Sequence, residues 1–316
     1  MAGEDKAAGP SLPEPSLPRP SPGYTLLVMA WNVDGKYIVV TGANGGIGYE
    51  TAKQLYGQGA RVIMVCRNES RGESALASIR DSAATSGDSG LYLVIGDMAE
   101  ADGVSRAAEG ISSVTSHLDV LVNNAGAFFG ERRENSAGVE YTFALNHLGY
   151  FRLTASLMPM LQAAEQARIV SVSSEAHRFT GIRWDDVFFE SRRYRGFTAY
   201  GQSKLMNILF TRELARRLAS DSPSITANCL HPGFIKTGFA NLKHDEGGSS
   251  GFSLMAKLFA KPPEVGAQTS VYLASSPEPS DANGLYFKNQ RPAKPSAAAR
   301  DDTAATRLWE LSERYA

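Results

Sequence analysis

Tyr37-Ile38-Val39-Val40-Thr41-Gly42-Ala43-Asn44-Gly45-Gly46-Ile47-Gly48 decides how this chain is read. Residues 37–40 form a short apolar, β-branched run, the pattern of a strand buried on both faces of a parallel sheet. From Ile47 to Tyr56 the pattern turns helical. Glycines mark the switch: without Cβ atoms, positions 42, 46 and 48 let the chain turn sharply, approach a ligand and pack a helix on its own strand. The N–H groups and positive dipole end of that helix favour a phosphate. The spacing Gly42-x-x-x-Gly46-x-Gly48 is neither the Gly-x-Gly-x-x-Gly dinucleotide turn nor a P-loop. Taken alone it could be a plain chain reversal, so the rest of the sequence has to decide.

Working outward, strand and helix alternate. Strands are predicted at 61–66, 91–95, 118–122, 169–174, 225–230 and 284–287, and helices at 68–83 (with Asn68 as cap), 99–114, 138–164, 198–219 and 263–274. This alternation implies an α/β fold: one doubly wound, Rossmann-like domain with a seven-stranded, mainly parallel sheet and ligands at the strands' C-terminal ends. The domain is expected over 24–316, including a C-terminal helical tail. Residues 1–23 hold six of the fifteen prolines and almost no large apolar side chains, and are expected to be a disordered Pro-rich tail.

With 43% hydrophobic and 21% charged residues and a net charge of -1, neither nucleic acid nor an anionic membrane is indicated as a partner. The two cysteines, Cys66 and Cys229, fall in predicted buried strands, which fits a reducing, cytoplasmic setting. No secretory signal is recognised, and the apolar run 25–31 is too short to span a bilayer, so no transmembrane segment is expected. The histidines show no metal-ligand spacing, and neither a Cys-x-x-Cys nor a Gly-x-Ser-x-Gly motif occurs. Small-molecule chemistry without a metal is the expectation.

Tyr200-Gly201-Gln202-Ser203-Lys204 opens the helix after the fifth strand and places Tyr200 and Lys204 at i and i+4 on one face. An ammonium beside a phenol stabilises the phenolate and lowers the Tyr pKa toward working pH, which suits a proton donor and acceptor. Ser174, at the end of the fifth strand, is positioned to hold a substrate oxygen beside Tyr200.

With these motifs in order, residues 36–288 resemble the short-chain dehydrogenase/reductase family. Thr41-Gly42-Ala43-Asn44-Gly45-Gly46-Ile47-Gly48 is similar to its cofactor turn, Asn123-Asn124-Ala125-Gly126 to its fourth-strand motif, and Ser174 with Tyr200 and Lys204 to its catalytic group. The resemblance implies that Tyr200 exchanges a proton with the substrate oxygen, that Ser174 hydrogen-bonds it, and that Lys204 binds the nicotinamide ribose. It further implies that Asn146 holds a water in a proton relay, that Asp97 and Met98 meet the adenine, and that Pro232, Gly233 and Thr237 receive the nicotinamide carboxamide and adjacent phosphate. At the end of the second strand an acidic residue would bind a ribose 2′-hydroxyl; here stands Arg67, whose planar cationic fork suits a 2′-phosphate, so the expected cofactor is NADP(H). The segment 175–199, with Ala176-His177 after the serines, is most similar to the retinol-dehydrogenase-like subgroup.

The function expected is therefore NADP(H)-dependent interconversion of a carbonyl compound and its alcohol; the alternative is an idle NADP(H)-binding sensor, which would not need Ser174, Tyr200 and Lys204 intact. Aromatic residues after three strands (Phe128, Phe129; Trp184, Phe188, Phe189; Phe234, Phe239, Phe252, Phe259) suggest an apolar pocket for a lipophilic substrate. Apolar residues around most of the 198–219 helix suggest a homo-oligomer.

Overall fold

The computed structural model describes residues 31–82, 90–233 and 261–316. The tail at 1–23, Thr237, Phe234, Phe239, Phe252 and Phe259 lie outside them.

The apolar runs become strands because both faces are covered. In β1 (Tyr37–Thr41), Ile38 and Val40 join one core cluster and Val39 the other. In β2 (Arg61–Cys66), Val62, Met64 and Cys66 share the first, Ile63 and Val65 the second. β3 (Leu91–Ile95), β4 (Val120–Asn123), β5 (Ala167–Val172), β6 (Ile225–His231), β7 (Tyr286–Lys288) and β8 (Arg291–Pro292) complete a sheet in the order β3-β2-β1-β4-β5-β6-β7-β8. Val39 pairs with Ile63 on one side and Leu121 on the other; β1 to β7 are parallel and β8 is antiparallel to β7.

The helices are α1 (Gly46–Tyr56), α2 (Glu69–Ser82), α3 (Ala101–Val114), α4 (Tyr141–Phe143), α5 (Gly149–Gln162), α6 (Gly196–Asp221), α7 (Pro263–Ser275) and α8 (Asp302–Tyr315). α1, α2 and α7 build the first cluster on one face of the sheet; α3, α5 and α6 build the second on the other. Val39, Val40 and Ile63 are wholly buried, and each such side chain contributes roughly 1.5–3 kcal/mol of transfer free energy. Asn68 caps α2 as its position suggests, accepting the Arg71 N–H at 2.9 Å.

The structure departs from the sequence reading at several places. Among the described residues there are eight strands, not seven, because Asn289 and Gln290, with φ 50° and 61°, form a two-residue turn that folds β8 back on β7. That turn carries no glycine, and β8 has a proline at the sheet edge, so neither signals a hairpin in the sequence. β5 ends at Val172, and Ser174 instead caps a 3₁₀ turn, Glu175–Phe179. The helix expected at 138–164 is interrupted. The Glu140 carboxylate caps α4 by accepting the N–H groups of Thr142 and Phe143 at 2.8 and 2.7 Å, and Ala144–Leu148 then winds as a π-helix before α5.

α6 is buried on two sides within one chain. Phe210 and Leu214 face the second cluster, while Leu205, Met206, Ile208 and Leu209 face a third, shared with Phe143, Leu148 and with Leu308 and Leu311 of α8. The apolar surface that suggested a second copy is thus covered by α8 and the π segment, and that reason for an oligomer falls away. Among the described residues no helix is long and apolar enough to cross a membrane.

Candidate active site

From β1 the chain adds β2 and β3 on one side, then returns to place β4 on the other, so the sheet order reverses between β1 and β4. Such a reversal leaves a crevice at the C-terminal ends of the two strands. Thr41 and Asn124 stitch its floor. Thr41 Oγ1 accepts the N–H groups of Asn124 and Ala125, each at 2.9 Å, and Asn124 Nδ2 donates to the Thr41 carbonyl at 2.8 Å. Gly42, at φ +67°, lets Ala125 come so near that a Cβ would stand 3.0 Å from its Cα. The glycine turn and the Asn123-Asn124-Ala125-Gly126 motif, distant in sequence, are one structure. Gly46, at φ 57°, begins α1, Asn44 is half-buried in the turn, and Ile47 packs on the first cluster. No side chain caps the start of α1 and its first turn holds no acidic residue, which suits an anion at the helix N-terminus.

Across the crevice, α6 presents Tyr200 and Lys204. The Tyr200 and Ser174 hydroxyls are hydrogen-bonded to each other, and Ser174 Oγ also accepts the Ala176 N–H at 3.2 Å. Lys204 Nζ donates to the Val172 carbonyl at 3.1 Å and lies 5.7 Å from the Tyr200 ring centroid. Gly126 makes room for it: a Cβ there would stand 3.2 Å from Lys204 Nζ and 3.1 Å from Asn146 Oδ1. Asn146, wholly buried in the π turn, spends its side chain on the scaffold: Oδ1 accepts the Ala127 N–H at 2.8 Å, and Nδ2 donates to the Ala127 carbonyl at 2.9 Å and to Ser203 Oγ at 3.0 Å.

The electrostatics differ from the sequence expectation. Burial pushes the Tyr200 phenol up to about 12, with the Ser174 hydrogen bond working the other way, and burial drives the Lys204 ammonium down to about 7. Each ion is costly alone in so dry a place; phenolate and ammonium relieve each other only as a pair. The sequence reading counted the attraction and not the burial.

The structure brings Arg67 and Asp97 together at the end of β2 and the loop after β3. Arg67 Nη1 lies 3.7 Å from Asp97 Oδ2 and donates to the Tyr141 hydroxyl at 3.2 Å, while Asp97 Oδ1 accepts the Ala99 N–H at 2.9 Å. Met98 is buried in the second cluster, and its carbonyl presses on Gly149. Pro232 and Gly233 follow β6, with Gly233 at φ 95°.

Of the aromatic residues expected at the site, Phe128 stands with its ring 6.2 Å from that of Tyr200, and Phe129 packs on Tyr141 at 5.1 Å. Trp184 and Phe188 instead pack against the third cluster, and Phe189 is buried beneath the Arg192 guanidinium. Phe179 and Phe197, which the sequence reading passed over, sit exposed at the end of the 3₁₀ turn and the start of α6, their rings 6.3 Å apart. Ser173 and Ser203 were passed over too: the Ser173 hydroxyl, just after β5, donates to the Lys204 carbonyl of α6, and the Ser203 hydroxyl donates to the Tyr200 carbonyl within α6, each at 2.7 Å. Each adjoins a candidate residue, but the Ser173 bond runs to a carbonyl 31 residues away that no sequence spacing marks.

The short chain dehydrogenase family profile matches residues 36–247. Human retinol dehydrogenase 14 is 39% identical over 290 residues, covering 88% of this chain and 85% of its own. The WW domain-containing oxidoreductase of Gallus gallus is 38% identical over 290 residues, covering 90% of this chain and 68% of its own. Among solved structures, an uncharacterized protein from Mycobacterium paratuberculosis superposes with a TM-score of 0.72 at 33% identity, covering 90% of this chain and 95% of its own. The switch-point crevice, the motifs around it and these similarities agree: the chain belongs to the short-chain dehydrogenase/reductase family, is retinol-dehydrogenase-like, and is an oxidoreductase that interconverts alcohols and carbonyl compounds.

Proposed function

We propose that the protein uses NADP(H) to interconvert lipophilic aldehydes or ketones and their alcohols, with Tyr200 as proton donor and acceptor. One observation carries this reading: the Ser174 and Tyr200 hydroxyls meet in a hydrogen bond, with Lys204 one helical turn beyond. The two hydroxyls hold the substrate oxygen between them. In reduction Tyr200 gives its proton to that oxygen, and in oxidation it takes one back; Lys204 offsets the phenolate left behind.

The residues present fit the cofactor. The glycines let the turn pack on Asn124 and Ala125, and the uncapped start of α1 offers its N–H groups and positive dipole end to the pyrophosphate, with Thr41, Asn44, Gly46 and Ile47 around it. Arg67, in a loose pair with Asp97, holds a 2′-phosphate; Asp97 and Met98 border the adenine. Asn124, Ala125 and Gly126 line the middle of the crevice, Lys204 binds the nicotinamide ribose, and Pro232 and Gly233 meet the nicotinamide end. When bound, NADP(H) supplies or accepts the hydride.

Phe128, Phe179 and Phe197 support an apolar substrate, as do the names of the retinol dehydrogenase relatives. The test is a series of straight-chain aldehydes followed by loss of NADPH absorbance. Each methylene should add about 0.8 kcal/mol, roughly fourfold in kcat/KM, until the pocket is full. Efficiency that stays flat with chain length rejects the lipophilic substrate. Tyr200→Phe should keep NADPH binding and lose kcat by roughly 10² to 10⁴; retained turnover rejects Tyr200 as the proton donor.

A further inference from the structure

Two buried histidines stand behind Ser174, and the chemistry described so far uses neither. The peptide group joining Ser174 to Glu175 is held from both sides. Its carbonyl lies 2.6 Å from His177 Nδ1, and its N–H donates to His231 Nδ1 at 3.3 Å. The tautomers follow from the remaining partners. His177 Nε2 accepts the Ser296 N–H at 3.1 Å, so it carries no proton, and Nδ1–H is the donor to the Ser174 carbonyl. His231 Nδ1 accepts a second N–H, that of Gly233, at 3.3 Å, so this nitrogen is bare.

The surroundings keep both rings in place. His177 is wholly buried and His231 nearly so, and burial holds both below the ordinary imidazole pKa. The groups facing them are Glu175 and Arg178 of the 3₁₀ turn and Tyr286 and Lys288 of β7. Glu175 Oε1 accepts the Tyr286 hydroxyl at 3.0 Å and lies 3.6 Å from Lys288 Nζ, Oε2 accepts Arg178 Nε at 3.0 Å, and the Tyr286 ring packs edge-on to His177 at 5.3 Å. The carboxylate thus has these partners besides its attraction to the His231 ring.

We infer that His177 and His231 are positioning residues that grip the Ser174–Glu175 peptide, set where the Ser174 hydroxyl meets Tyr200, and tie it through Gly233 to the turn after β6. Neither ring touches the reacting atoms. Both act through Ser174, which the reading under Proposed function assigns to the substrate oxygen, and the inference rests on that assignment. Rotation of this peptide would swing the Ser174 side chain, and a misplacement of about 1 Å at a reacting centre can cost about 100-fold in rate.

The test exploits the different reach of two amides. The side-chain nitrogen of Asn falls near the Nδ1 position and donates to the Ser174 carbonyl, whereas the Gln amide reaches the Nε2 position, where its oxygen accepts the Ser296 N–H. His177→Asn should keep kcat within about fivefold of wild type, whereas His177→Gln should lose roughly 10- to 100-fold, with NADPH affinity unchanged in both. A histidine that only anchors residue 296 would give the reverse order, and that order, or equal kcat in the two variants, overturns the inference. For His231, Asn retains an acceptor at Nδ1 and Leu does not, so His231→Asn should exceed His231→Leu in kcat; equality overturns its part. Ser174→Ala, run alongside, separates the two failures: full turnover in that variant defeats the role of Ser174 itself, whatever the histidine variants do.

Discussion

Gly48 lies so close to Asn124 that a Cβ on it would stand 2.4 Å from Asn124 Nδ2, and equally close to the Gly42 carbonyl oxygen. One of those neighbours is backbone and the other is held by Thr41, so neither yields cheaply. Gly48→Ala should therefore lower stability by about 1–3 kcal/mol, the usual cost of overpacking. Gly45, by contrast, is extended and meets nothing within 4 Å, and Gly45→Ala should leave the stability of the cofactor-free protein within about 0.5 kcal/mol. Thermal unfolding of the two variants side by side checks this; equal melting temperatures would show that the crevice floor is not rigid.

The buried Lys204 gives stability a pH dependence. Its ammonium titrates at about 7 in the folded chain against an ordinary 10.5. Between those values the unfolded chain holds the proton and the folded one does not, so stability rises with pH there, by up to about 1.4 kcal/mol per unit. Tyr200, raised to about 12 from 10, acts oppositely and only above pH 10. Denaturation of wild type and Lys204→Met from pH 7 to 10 isolates the effect. Wild type should gain on the variant throughout; a constant difference would mean that Lys204 keeps its proton in the fold.

Arg67 is two-thirds exposed and its pair with Asp97 is long, at 3.7 Å, so that pair contributes little and does not hold the guanidinium away from a ligand. Replacing it with an acidic residue, Arg67→Glu, should cut kcat/KM for NADPH by about 10- to 150-fold, the worth of a charged hydrogen bond, and narrow or reverse the preference over NADH. Equal use of both cofactors by the wild type would remove the role given to Arg67.

The domain is proposed to need nothing before residue 24. Trp31 shows where packing has begun: its Nε1 donates to the Ala274 carbonyl at 2.8 Å, and the Arg168 guanidinium lies 4.0 Å over its ring. Deleting 1–23 should leave activity and melting temperature nearly unchanged, while Trp31→Ala should cost about 3–5 kcal/mol. A large loss on deletion would place the tail in the fold or the site.

What the sequence determined by itself was whatever depends on local pattern. Strands buried on both faces must be apolar throughout, so β1 and β2 are legible as runs; the glycine turn is legible because no other residue lets the chain turn there; and Tyr200 with Lys204 is legible because one helical turn separates them. What only the tertiary structure decided depends on partners remote in sequence. The π turn at Asn146 and the hairpin to β8 arise where neighbouring elements override local preference. The burial that raises the Tyr200 pKa and lowers that of Lys204 comes from everything packed around them. His177 and His231 look like any two histidines until β5, β6 and the segment at Ser296 converge, because a hydrogen bond to a backbone amide leaves no mark in the identity of the residue that supplies it.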